Sequence, residues 1–151
     1  RCGENAALLL LPPYDSQPRF SFEELVGVMV ELARGIVRVE SPSAIVVKPH
    51  PRSSDEEVRL ALRRLGEALP ETPLLAVREH HEYPIEIVFA PFPVRACGSV
   101  VSTSMRSLQW IYKTKSYCPE RAMLELYRRE PRFLALITDW IEENRKDYVA
   151  V

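Results

Sequence analysis

Short apolar runs of strand length alternate with amphipathic stretches of helical period along these 151 residues, and that alternation limits the fold more than any other feature. The runs are Asn5 to Leu11, Ala44 to Lys48, Leu74 to Val77 and Ala96 to Val101. Each is too short for a typical helix and is bounded by turn residues or prolines, so each reads as a buried strand. Between them stand strong helix signals. Ser21-Phe22-Glu23-Glu24 has the capping-box pattern, in which the Ser21 hydroxyl serves the third helical N–H and Glu24 reaches back. Phe20 and Leu25 stand where a hydrophobic staple sits. Leu25, Val28, Met29, Leu32, Ile36 and Val39 recur at helical spacing, which predicts a helix to about Arg38. Ser54-Asp55-Glu56-Glu57 is a second capping box. It opens a helix with Val58, Ala61, Leu62, Leu65 and Leu69 on one face and an expected i,i+4 pair between Asp55 and Arg59.

Pro84 to Ala90 predicts a short helix, with a strand as the alternative. Ser102-Thr103-Ser104 turns into a helix ending near Tyr112. Two more helices are expected near Glu120–Arg129 and Pro131–Asn144. The resulting order, β-α-β-α-β-α-β-α-α-α, predicts an α/β fold: a Rossmann-like parallel sheet with flanking helices and right-handed crossovers. The expected organisation is a single domain over 1–151, helical in its C-terminal part from about 119 to 147.

Composition excludes several classes. The formal net charge is −1 and no basic tail is present, which argues against a nucleic-acid partner. No apolar run approaches the ~18 residues needed to span a bilayer. Cys2, Cys97 and Cys118 are odd in number and widely spaced, so they read as core or incidental thiols in a reducing compartment. Glu79-His80-His81-Glu82 is not read as a metal site, because adjacent histidines point apart. Trp110 and Trp140 fall on apolar helical faces and are expected in the core. Arg121, Arg128, Arg129 and Arg132 read as a solvated helical face, with docking to an anionic membrane or acceptor polymer as the alternative. The chain begins at Arg1, and the expectation is that it is a piece of a longer protein.

Three constellations carry chemistry. Lys48-Pro49-His50-Pro51-Arg52 ends the second strand. Two prolines stiffen the loop, so a histidine and two cations are held at the carboxyl end of a strand, where open α/β sheets bind ligands. Histidine donates a proton near neutral pH and the cations favour an anion, for which phosphate is the obvious candidate. Ser102-Thr103-Ser104 forms the second. A helix start offers free N–H groups and positive potential to phosphate. Unlike the helices beginning at Ser21 and Ser54, this one has no carboxylate in its first turn, and Arg106 is expected to add positive charge there. Third, Glu86 of Pro84-x-Glu86 follows the third strand, where a carboxylate can accept hydrogen bonds from ribose hydroxyls.

With these three motifs in this order, the chain resembles bacterial sialyltransferases, most closely the α-2,8-polysialyltransferase group and the related lipooligosaccharide sialyltransferases. The resemblance covers about residues 5 to 112, with His50 and Ser102 lying 52 positions apart. It implies the C-terminal, nucleotide-sugar-binding half of a two-domain GT-B glycosyltransferase, with an N-terminal partner domain missing from this chain. It implies an inverting transfer of sialic acid from CMP-sialic acid to a sugar hydroxyl of a surface glycan, with no cofactor and no metal. His50 would meet the donor phosphate as general acid. Lys48 and Pro49 would lie by the cytosine with Pro51 and Arg52 alongside, Glu86 by the ribose, and Ser102, Thr103 or Ser104 by the phosphate. The acidic-acidic-glycine motif that supplies the family's general base is absent, since Glu23-Glu24 is followed by Leu25. The implied location is cytoplasmic, extending to the inner face of the cytoplasmic membrane. Two other readings stay open: a GT-B transferase of another surface polymer using a CDP-glycerol-type donor, and a non-catalytic nucleotide-binding module.

Overall fold

The structure is a computed structural model that describes residues 5–14, 20–77, 83–88, 94–100 and 102–151. Its elements in chain order are β1 (Ala6–Leu10), α1 (Phe22–Glu40), β2 (Ala44–Lys48), α2 (Asp55–Ala68), β3 (Leu74–Ala76), α3 (Ile85–Val88) and β4 (Val94–Gly98). Then come α4 (Thr103–Tyr112), β5 (Lys115–Cys118), α5 (Glu120–Tyr127), α6 (Pro131–Asn144), a 3-10 turn (Arg145–Asp147) and β6 (Val149–Ala150). The strands form one six-stranded sheet in the order β3-β2-β1-β4-β5-β6, and every pair is parallel. This is the Rossmann-like α/β arrangement the alternation predicts.

Alternation along β1 divides the core. Ala7 and Leu9 join Ile45, Val47, Ala96 and Tyr117 in a cluster with α1, α2 and α5. Ala6, Leu8 and Leu10 join Val46 and Cys97 in a second cluster with Ile85 of α3 and Met105 and Leu108 of α4. A strand's side chains alternate between faces, so a run apolar at every position is buried by helices on both.

Both capping boxes form. The Ser21 and Ser54 hydroxyls accept from the third helical N–H, while Glu24 and Glu57 return to the cap N–H at 2.8 and 2.7 Å. Phe20 and Leu25 are both buried in the core, and Phe20 also meets the Tyr127 ring edge-on at 4.8 Å. The expected Asp55–Arg59 pair gives way to Glu56–Arg59 at 3.8 Å, with both side chains exposed.

Two strands go beyond the sequence expectation. β5 reads Lys-Ser-Tyr-Cys and β6 is two residues long, so neither has the apolar signature of a strand. Tertiary pairing decides them: β5 lies between β4 and β6, with Ser116, Tyr117 and Cys118 buried. The Tyr117 hydroxyl donates to Glu40 at the end of α1, and Glu40 also pairs with Lys115 at 2.9 Å. Trp110, expected in the core, is 78% exposed. Trp140 is half-buried and stacks on Tyr148 at 6.0 Å. No helix among the described residues is long and apolar enough to cross a membrane.

At Gly98 helix α1 seats close on the sheet. A Cβ there would stand 2.6 Å from Ile36 Cδ1 and 3.1 Å from Leu32 Cδ2, both on α1 and both fully buried. Gly98→Val should therefore lower stability by about 1–3 kcal/mol, as overpacking does. An unchanged urea midpoint would show that α1 does not bear on β4.

The basic run is partly neutralised. Arg121 pairs with Glu125 at 3.2 Å, and Arg129 crosses to Glu24 at the start of α1. The hydrogen bond from Arg129, then those from Ser21, hold the Glu24 carboxyl down to about 2 from its ordinary 4.5. A depressed carboxylate stabilises the fold fully above the ordinary value and loses that contribution as pH falls toward the depressed one. Stability should thus decline between about pH 4.5 and 2, and less steeply in Glu24→Gln. Equal slopes in acid titrations of the two proteins would contradict this.

Candidate functional site

β1 pairs with β2 on one side and β4 on the other. The chain leaves β1 toward β2 and leaves β4 toward β5, so the segments after these two strands diverge. The carboxyl ends of the strands at such a switch point leave a crevice. A cleft of about 550 Å³ lies there, lined after β1 by Leu10 to Pro13, after β2 by Lys48 to Pro51, at α3 by Tyr83 to Ile85, and after β4 by Ser99, Ser102 and Ser104.

The loop after β2 is held from several directions. The Lys48 carbonyl accepts from Leu11 N–H at 3.0 Å, tying the ends of β1 and β2 together. The Lys48 side chain is buried, and its ammonium lies 3.4 Å from the Pro49 carbonyl. His50 is half-buried; its carbonyl accepts from Ser53 N–H at 3.0 Å and its Nδ1 accepts from Arg52 N–H at 3.2 Å. That last bond uses the Nδ1 lone pair, so neutral imidazole carries its proton on Nε2. The loop then ends in the Ser54 cap of α2. Prolines on both sides of His50 and a helix cap three residues past Pro51 leave the histidine little freedom.

α4 supplies the facing wall. Ser102 is its N-cap, with the Ser102 hydroxyl accepting from Ser104 N–H at 3.2 Å. No acidic residue stands in its first turn, whereas α1 carries Glu23 and Glu24 and α2 carries Asp55, Glu56 and Glu57 there. The amino end of α4 thus keeps its positive potential at the cleft. Among the described lining residues Lys48 and His50 are basic and none is acidic. Such a site favours an anion that accepts hydrogen bonds from hydroxyls, amides and a lysine.

The structure brings Lys48, Pro49, His50, Pro51, Ser102 and Ser104 to one cleft. Arg52 is exposed and Glu86 half-buried on α3, and neither is among the lining residues; the Glu86 carbonyl accepts from the Tyr112 hydroxyl at 2.7 Å. The Thr103 backbone opens α4, and its side chain lies outside the described residues. Arg106 does not add its charge to the cleft as expected. Its guanidinium turns to Asn144 and Asp147.

Sequence reasoning missed the segment after β1 and Tyr83, and it read Ser99 only as part of the strand before α4; the Ser99 hydroxyl lies 3.4 Å from the Leu10 carbonyl. Their position depends on strand order, which no local pattern encodes. Burial, then the Glu86 carboxylate, pushes the Cys97 thiol well above its ordinary value, and burial pushes Cys118 up to about 12. Both are inert core thiols. Cys2 and the Glu79-His80-His81-Glu82 run lie outside the described residues. Among the described ones, no group of three His, Cys, Asp or Glu side chains is placed to hold a metal.

A family model, Alpha-2,8-polysialyltransferase (POLYST), matches residues 1–118, from before β1 through β5. No curated protein matches the chain.

Proposed function

Because this chain belongs to the alpha-2,8-polysialyltransferase family, whose members are sialyltransferases and so glycosyltransferases, we propose that its cleft binds CMP-sialic acid for inverting transfer to a glycan hydroxyl. The observation that carries this reading is the sign of the cleft. Lys48, His50 and the acid-free amino end of α4 converge on one crevice whose described lining has no carboxylate. In the transfer, the acceptor oxygen attacks the anomeric carbon, the bond from that carbon to the phosphate oxygen breaks, and CMP departs with the electron pair. Negative charge builds on the leaving phosphate, and donors already aimed there stabilise the transition state more than the ground state.

His50 assists through Nε2–H, in a hydrogen bond to the leaving oxygen that strengthens as charge develops; to act as general acid it gives up the Nε2 proton from the imidazolium form, in which Nδ1 also carries a proton and releases Arg52 N–H. The rigid loop orients that group, and Lys48 supplies a buried cation. Pro49 and Pro51 shape the wall by the base, Arg52 stands at the rim, and Glu86 turns to the ribose when the donor is bound. The proton of the acceptor hydroxyl goes to a carboxylate on an N-terminal domain facing the cleft, in a GT-B arrangement, because the described lining offers none. Fixed cationic groups do the work for which other transferases recruit a metal, so catalysis is metal-independent. Work on surface glycans would bring the enzyme to the inner face of the cytoplasmic membrane, where the exposed Arg128 and Arg132 can meet anionic headgroups.

Calorimetric titration with CMP, cytidine, CDP and UDP, with and without EDTA, tests the donor. CMP should bind at least about tenfold more tightly than cytidine, since a phosphate in a charge-assisted site is worth more than about 1.4 kcal/mol, and EDTA should change nothing. Ser102→Ala combined with Ser104→Ala should erode that preference while leaving cytidine binding intact. A preference for CDP would move the chain to a diphosphate donor, and equal weakening of CMP and cytidine would deny α4 a phosphate role.

For the chemistry, His50→Ala in the complete enzyme should cut release of CMP from CMP-sialic acid by roughly 10²–10⁴-fold, the usual worth of a positioned proton donor. Its thermal transition should survive, because a half-buried loop histidine contributes little packing. Full activity, or loss of the transition, would show that His50 is not the donor.

A further inference from the structure

Arg106 stands in the first turn of α4, beside the groups that face the cleft, yet its guanidinium points elsewhere. It donates to the side-chain carbonyl of Asn144 and lies 3.5 Å from the Asp147 carboxylate. Asn144 is only 5% exposed, and its amide donates to the Trp140 carbonyl at 2.6 Å, which fixes the Asn144 carbonyl as the acceptor for Arg106. Asp147 closes the 3-10 turn after α6. That turn is itself anchored: Arg145 pairs with the buried Glu120, Tyr148 stacks on Trp140, and β6 pairs with β5. A cavity of about 80 Å³ lies among Ser102, Met105 and Arg106 on one side and Trp140, Asn144 and Asp147 on the other. Polar contacts across that gap, together with Tyr148 packed against the cluster that holds Met105, therefore connect the first turn of α4 to the C-terminal segment.

We propose that Asn144 and Asp147, which lie beyond the matched residues 1–118, are positioning residues for the anion site. By holding Arg106 they set the first turn of α4, and with it the Ser102 and Ser104 hydroxyls at the cleft. The effect on nucleotide binding rests on the reading that this helix end meets the donor phosphate; the effect on α4 itself does not. Arg106 is largely solvent-exposed, so the ion pair adds little to global stability. Its consequence is local order where the donors must be aimed.

The test uses Arg106→Ala, Asp147→Ala and the double variant of the full chain. In each single variant, amide hydrogen exchange at Met105 to Leu108 should quicken by about tenfold, with the rest of the sheet unchanged. CMP affinity should fall about three- to tenfold while cytidine affinity holds, and the double variant should be no worse than either single one, because the two residues act as one unit. Unchanged exchange in Asp147→Ala would overturn the brace whatever the cleft binds. Equal loss of CMP and cytidine affinity would reduce it to a general structural contact. Tighter CMP binding in Asp147→Ala would overturn it differently, by showing Arg106 to be a cation held away from the anion. Were the unaltered chain to bind CMP no better than cytidine, the phosphate reading would fall while the exchange measurement still decided the brace.

Discussion

β1 has no exposed edge: β2 pairs along one side and β4 along the other, each in parallel register. This double pairing organises the rest of the molecule. It buries five consecutive apolar side chains, alternately against the α1/α2/α5 layer and the α3/α4 layer. It also brings the segment after β2 and the segment after β4 to either side of the end of β1, although they are far apart in the chain. Gly98 completes the arrangement. With no side chain at that point of β4, Ile36 and Leu32 of α1 seat directly on the sheet, and close-packed interiors leave no slack for an added methyl group.

The electrostatics of the crevice depend on how each helix begins. Three helices are capped by serine, but only two satisfy and neutralise their amino ends with glutamate. The third, α4, opens on the crevice with its donors uncompensated by charge, opposite a buried lysine and a histidine tethered by its own loop. A helix terminus, an ammonium and an imidazole are each modest attractors for an anion. Directed into a space partly shielded from water they reinforce one another, because the effective dielectric is lower there. This is the environment that a departing phosphate requires.

The C-terminal segment has a different task. The family match ends at Cys118, yet residues 119–151 are joined to the rest at several points. α5 packs on α1, Val151 lies against Gly35, and β6 pairs with β5. Through Asn144 and Asp147 the same segment reaches back to the first turn of α4. On the proposed brace, a peripheral segment that supplies none of the described residues lining the cleft still governs how well the site is aimed.

Much of this was legible from residues alone, and the part that was not has a common cause. Ala44–Lys48, the two capping boxes, the stiffened Lys48-Pro49-His50-Pro51-Arg52 loop and the serine cap before α4 are local. Their physics involves residues within a few positions of one another: restricted dihedrals, cap hydrogen bonds and side-chain periodicity. Those pieces and their alternation follow from local residue order, and with them an α/β sheet with a basic histidine loop and an acid-free helix start. Strand order, the burial of the polar-looking Lys115–Cys118, the exposure of Trp110, the turning of Arg106 to Asn144 and Asp147, and the contribution of Ser99 to the cleft were decided only by tertiary structure. Each depends on which distant segments become neighbours, and that is settled by packing over the whole core rather than by the preference of any one stretch.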